Sequence, residues 1–187
     1  MAKGRRLTHS AGQAVGLVKA RRWSEGWRSP ISARMPPTPW PLSRLLLNRI
    51  LEDRMSDRFV AERVWERLGY QPQGEGVIWL AGPETPSAWR EAFPQAPEVI
   101  SIRPASVQLT RSIPREHKQL LKEQLKFAGY RIGELYPRRT RRATAVNWLL
   151  AWLASHEQLL AEEGPLPPLL DPPLNPVSGH PGDLPVS

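Results

Sequence analysis

The run Ala143-Thr144-Ala145-Val146-Asn147-Trp148-Leu149-Leu150-Ala151-Trp152-Leu153 is the strongest helical segment of the chain, and between Ala145 and Ala154 its one polar residue is Asn147. A helix that is apolar on every side must be enclosed by other elements, so it predicts a helix-rich domain built around one central helix, with Trp148 and Trp152 in its core. It is too short to span a bilayer, which needs roughly 20 apolar residues. A protein-docking or interfacial membrane face, with Asn147, Trp148 and Trp152 as contact residues, is the alternative for the same segment.

Immediately before this run stand Arg138, Arg139, Arg141 and Arg142. The start of a helix carries a partial positive charge and favours acids or anions, so stacked guanidiniums there are unfavourable unless something negative meets them. The expectation is an anion-binding surface.

Charge along the 187 residues is uneven enough to locate that surface. The formal net charge is +8, but the first 34 residues hold eight Lys/Arg against one Glu, and residues 103–142 hold eleven against three acids. Residues 143–187 hold five acids and no Lys or Arg. Overall basicity thus argues little for a nucleic-acid partner, whereas the block at 103–142 is real local polarity. The chain has no cysteine, which excludes disulfides, thiolate metal sites and cysteine nucleophiles.

Patterning predicts three segments. Residues 1–40 form a basic N-terminal extension with little apolar periodicity, expected to be disordered. It could be an inert tail, a targeting segment or a binding arm, with Met35 as an alternative start. Residues 41–160 form a single α+β domain. Its first helix carries Leu46, Leu47, Ile50 and Leu51, with Arg49 and Asp53 paired on the wet side. Ser56 caps a second helix bearing Phe59, Val60, Val64 and Leu68, ended by Gly69. Val77 to Ala81 reads as a strand, Thr85-Pro86 opens a short helix, and Glu98–Ile102 and Ser106–Ser112 read as further short strands, for a sheet of two or three. A helix over Pro114–Phe127 ends with Gly129 as its cap, and the last helix runs from about Arg138 to His156. Residues 161–187 are a Pro-rich tail, extended or disordered.

On the Pro114–Phe127 helix, Arg115, Lys118, Lys122 and Lys126 follow helical spacing on one stripe. Joined to Arg138, Arg139, Arg141 and Arg142, they would make a positive trough able to track phosphates, the arginines by bidentate contacts and the lysines as point charges. A solvated face balanced by Glu84, Glu91 or Glu134 is the other reading. Changing Arg139 and Arg142 to Glu is expected to abolish RNA retention while leaving the fold intact. No catalytic signature stands out. His9, His117, His156 and His180 are scattered, Gly74-Glu75-Gly76 lacks the rest of a phosphate loop, and Ser112 with His117 reads as a cap and a partly buried histidine. No metal or cofactor is expected.

Five strings carry a resemblance: Arg63 to Tyr70, Ala81 to Pro86, Arg103 to Val107, Leu109 to Pro114 and Pro137 to Trp148. Through them the stretch from about Leu42 to Leu153 resembles a family of uncharacterised proteins from cyanobacteria and plant plastids, known as a domain of unknown function. The resemblance implies a cyanobacterial cytoplasm or plastid stroma as the setting, and brings no catalytic residues. The combined expectation is a non-catalytic binding protein, docking structured RNA or the ribosome. The alternative is an assembly or regulatory factor for a photosynthetic complex that binds acidic protein or the thylakoid surface, with peripheral membrane contact the weaker possibility.

Overall fold

Around a central 19-residue helix the computed structural model arranges five shorter helices and one hairpin, and it describes residues 38–74 and 76–187. Expectations for residues 1–37, including the basic extension and the alternative start at Met35, lie outside the described residues. The chain runs α1 (Arg44–Leu51), α2 (Asp57–Arg67), β1 (Tyr70–Gln73), β2 (Ile78–Ala81), α3 (Ser87–Ala92), α4 (Arg103–Ser112), α5 (Leu120–Leu125) and α6 (Pro137–Ser155). This is a small α+β domain with a two-stranded antiparallel sheet. No helix among the described residues is long and apolar enough to cross a membrane.

Local rules place α1 and α2. The Ser43 and Ser56 side chains accept hydrogen bonds from the Leu46 and Phe59 amides, each satisfying an amide that the first turn leaves without a partner. Leu46, Leu47, Ile50, Val60 and Val64 are wholly buried, and α6 packs against α1, α2, α4 and α5. Gly69, at φ 78°, ends the α2 segment in the left-handed conformation that glycine adopts without strain.

The middle of the chain departs from the pattern. Ser106–Ser112 belongs to α4 rather than to a strand, because Ala105 and Leu109 recur at helical spacing on the buried face, while Val107 is exposed. Pro104 falls in the first turn, where its missing amide costs nothing. Glu98–Ile102 is a turn whose Val99 and Ile100 are buried. The partner of Ile78–Ala81 is instead Tyr70–Gln73, in the register Tyr70 to Ala81, and a single bridge from Leu80 to Gln95 adds to its edge. Thr85 does not cap α3. Its hydroxyl accepts from the Gly82 amide, and Pro86 holds the cap position.

Tyr70 is 3% exposed, and its phenol donates to the Phe93 carbonyl at 2.8 Å. Burial pushes its pKa up from 10.0 to about 12. A raised pKa in the folded state contributes stability that is complete below the unfolded value and is lost as pH climbs through the folded one. Urea midpoints are therefore expected to fall between pH 10 and 12, and to fall less in Tyr70→Phe. An identical alkaline slope in that variant would remove Tyr70 as its source.

The C-terminal segment is extended, as its prolines require, but it is fastened down rather than disordered. Ala161 bridges Ser43, its carbonyl accepting from the Arg44 amide at 2.8 Å. Leu170 exchanges hydrogen bonds with Arg54 through both backbone and guanidinium. Further on, the Ser187 amide donates to the Ser101 carbonyl at 2.9 Å. Residues 161–187 thus form a strap across the helices, held mainly by polar contacts.

Candidate functional site

Arg138 and Arg142 stand one turn apart on α6, on the stripe that continues through Ala145, Leu149 and Leu153 into the core. They are 1% and 0% exposed. Arg138 donates from Nη1 to Asp53 at 2.6 Å, from Nε to Asp57 at 2.7 Å and from Nη2 to Asp183 at 3.0 Å. Arg142 donates from Nη1 to Asp57, and from Nη2 to the Ile50 carbonyl at 3.0 Å and the Met55 carbonyl at 2.9 Å. Burial by itself would weaken the Arg138 cation. Its hydrogen bonds to Asp53 and Asp57 outweigh burial and hold it above the ordinary arginine range.

The turn between α1 and α2 is shaped for this contact. The Asp53 amide donates to Ile50 and the Arg54 amide to Arg49, the paired bonds of a Schellman ending, which puts Asp53 at the left-handed position with φ 60°. Glycine is the usual occupant there, but glycine has no carboxylate to offer Arg138. Arg49 pairs with Glu52 instead of Asp53. Asp57 opens α2, so its carboxylate favours that helix end while it binds both arginines.

The expected arginine trough is therefore corrected. Arg138 and Arg142 are internal ion-pair partners buried away from any surface trough, because this molecule's own carboxylates meet the helix start. Changing Arg142 to Glu would not leave the fold intact. Arg141 donates to the carbonyls of Ile100, Ser101 and Ser187, and burial, then the neighbouring Arg103, lowers its pKa. Arg139 lies 3.8 Å from Glu134 and near the Tyr130 and Tyr136 rings.

Arg115, Lys118, Lys122 and Lys126 are all exposed, but they do not share one helical stripe. Arg115 sits in a 3-10 turn, Arg115–His117, and the chain turns at Lys118 and Gln119 before α5 begins. Lys126, at φ 55°, and not Gly129, caps α5. Asn147 pins this break to α6 by accepting from the Leu121 amide at 2.9 Å and donating to the His117 carbonyl at 3.2 Å. It is a satisfied internal group. Trp148 is 6% exposed, and its indole donates to Ser112. Both side chains are thus engaged within the molecule, and Asn147 also reaches the wall of the groove beside Lys118 and Lys122. Trp152 is half-buried, stacked on His156 at 4.0 Å, and borders a cleft of about 530 Å³ with Arg67, Tyr70 and Trp79.

The family model described as "Domain of unknown function (DUF1823)" matches residues 41–154. The chain belongs to this family. One solved relative of the DUF1823 domain described here, "Solution NMR structure of the protein", is 45% identical with a TM-score of 0.55. The match covers 65% of this chain and 100% of that one. No curated protein matches the chain. The DUF1823 span includes Asp53, Asp57, Arg138 and Arg142 and stops before His180 and Asp183.

Cations of the DUF1823 domain fall into two groups. Among the described residues, every Lys and Arg before residue 100 and after residue 135 meets a carboxylate or a backbone carbonyl. Arg103, Arg111, Arg115, Lys118, Lys122, Lys126 and Arg131 are exposed and meet neither among the described residues. Arg103, Val107 and Arg111 line one shallow depression on α4. Lys118 and Lys122 rim a groove of about 490 Å³ that Leu121, Phe127, Tyr130 and Leu135 also line, and Lys122 and Lys126 border a further depression.

Sequence reasoning leaves Asp53 on the wet side of α1, treats Asp57 as an ordinary first-turn acid, and gives His180 and Asp183 no role. A signal for the first two was present. Asp53 and Asp57 repeat the four-residue spacing of Arg138 and Arg142.

Proposed function

We propose that this chain is a non-catalytic binding protein that docks a polyanionic partner, structured RNA in the first instance, through its exposed cations Arg103, Arg111, Arg115, Lys118, Lys122 and Lys126. The observation that supports this is that, among the described residues, the exposed cations without a carboxylate or carbonyl partner are confined to residues 103–131. Exposed lysines remain hydrated and mobile, and they gain by exchanging condensed counterions for phosphates. The apolar groove beside Lys118 and Lys122 suits a loop whose unstacked bases enter while its backbone follows the lysines. Arg138, Arg141 and Arg142 have no part in it. A cyanobacterial cytoplasm or plastid stroma is the proposed setting.

Replacing Lys118, Lys122 and Lys126 together by Glu is expected to weaken filter retention of structured RNA at least about tenfold. It should also flatten the dependence of log K on log salt by about 2 to 3 units, at roughly 0.7 to 0.9 per phosphate contact. Because the three side chains are exposed, the urea midpoint should barely move. Unchanged retention across the salt series would remove the RNA reading. The same groove, apolar with a basic rim, also supports an acidic protein of a photosynthetic complex as partner. Partners that survive nuclease in a lysate pull-down would favour it.

A further inference from the structure

Asp183 reaches a position that the folded domain itself prepares. Its Oδ1 accepts from the Asp57 amide at 2.7 Å, at the first residue of α2, and its Oδ2 accepts from Arg138 Nη2 at 3.0 Å and from the His180 amide at 2.7 Å. A helix-start amide and a guanidinium are both donors suited to a carboxylate. Next to it, buried His180 donates from Nε2 to the Asp53 carbonyl at 3.0 Å. Gly179 lies so close that a β-carbon would stand 2.6 Å from both Arg138 Nε and Asp183 Oδ2.

The segment that supplies these groups has the character of a ligand. Pro181 and Gly182, the latter at φ 92°, form the centre of a tight turn closed by the Asp183 amide on the His180 carbonyl at 3.0 Å. A second turn precedes it, with the Gly179 amide on the Asn175 carbonyl at 3.0 Å. Local sequence thus preorganises the shape that is bound, which lowers the ordering cost of binding. The receiving groups Asp53, Asp57 and Arg138 lie inside the family span, and the turn lies outside it. Arg138 and Arg142 are balanced by Asp53 and Asp57 without Asp183, so the domain's own charges close when the turn departs.

We propose that the pit formed by the start of α2, Arg138 and the Asp53 carbonyl is a docking site for a carboxylate-bearing peptide turn, and that residues 175–187 are its resident ligand, bound in cis. The tether keeps the resident turn at an effective concentration on the order of millimolar, so an external peptide competes poorly until the strap is released.

The test uses the full chain and a fluorescein-labelled peptide of residues 175–187. Gly179→Ala combined with Asp183→Asn in the protein should open the strap and leave the pit untouched. This variant is expected to bind the wild-type peptide at least about tenfold more tightly than the unaltered protein does, and to ignore a peptide carrying Asp183→Asn. Equal anisotropy titrations for the two proteins, or equal binding of the two peptides, would overturn the proposal. Loss of the native far-UV spectrum in the variant would also overturn it, since the strap would then be part of the fold and not a ligand of it.

Discussion

Arg142→Ala is expected to destabilise the domain by about 3–5 kcal/mol, the range for removing one partner of a buried ion pair. The guanidinium is wholly enclosed, and it serves Asp57 and the carbonyls of Ile50 and Met55, all in or around the α1–α2 turn. Without it, Asp57 shares a single remaining arginine with Asp53 and Asp183, so negative charge is left in excess where water does not reach. Two carbonyls lose a donor as well. Arg139→Ala is the control, three positions away on the same helix. Its guanidinium is 3.8 Å from a half-exposed Glu134, and its loss should cost at most about 1 kcal/mol. Urea unfolding of both variants decides the matter. Equal costs for the two would show that burial of Arg142 does not organise the α1–α2 turn.

Trp65→Ala should be of similar size, about 3–5 kcal/mol, for a different reason. The indole is 1% exposed, packs on Trp79 with ring centroids 5.8 Å apart, and donates from Nε1 to the Pro97 carbonyl at 2.8 Å. Arg58 lies over its ring at 4.3 Å and continues to Glu62 and Glu98. Truncation therefore opens a cavity between α2 and the hairpin, leaves Pro97 without its donor, and loosens the turn that leads to α4. Trp152→Ala, at a half-buried ring on the cleft, should cost clearly less. Thermal or urea midpoints of the two variants test the contrast, and parity would mean that α2 does not anchor the hairpin.

Helices with strong caps and apolar stripes were legible in the residues alone. Ser56 sits where capping chemistry puts it, and the apolar run after Arg142 forms the central helix. Strand assignment failed where alternation over Ser106–Ser112 competed with a helical spacing through Ala105 and Leu109, and packing against α6 decided for the helix. The lysine stripe failed because Asn147, on another helix, holds a break at Lys118 and Gln119 that no local preference announces.

The candidate site divides the same way. That guanidiniums at a helix start require a negative partner follows from the helix dipole, and the sequence determined that much. Carrying the stripe of Ala145, Leu149 and Leu153 back by turns also reaches Arg142 and Arg138, so their burial could have been read. What the residues could not disclose was the source of the negative charge. Asp53 and Asp57 lie more than 80 positions away and Asp183 lies 45 away, beyond any local periodicity. Tertiary structure decided that the carboxylates are internal, because closing the chain over α6 buries the arginines against the α1–α2 turn and the strap. Among the described residues, the exposed cations of residues 103–131 were thereby left as the ones still open to a partner.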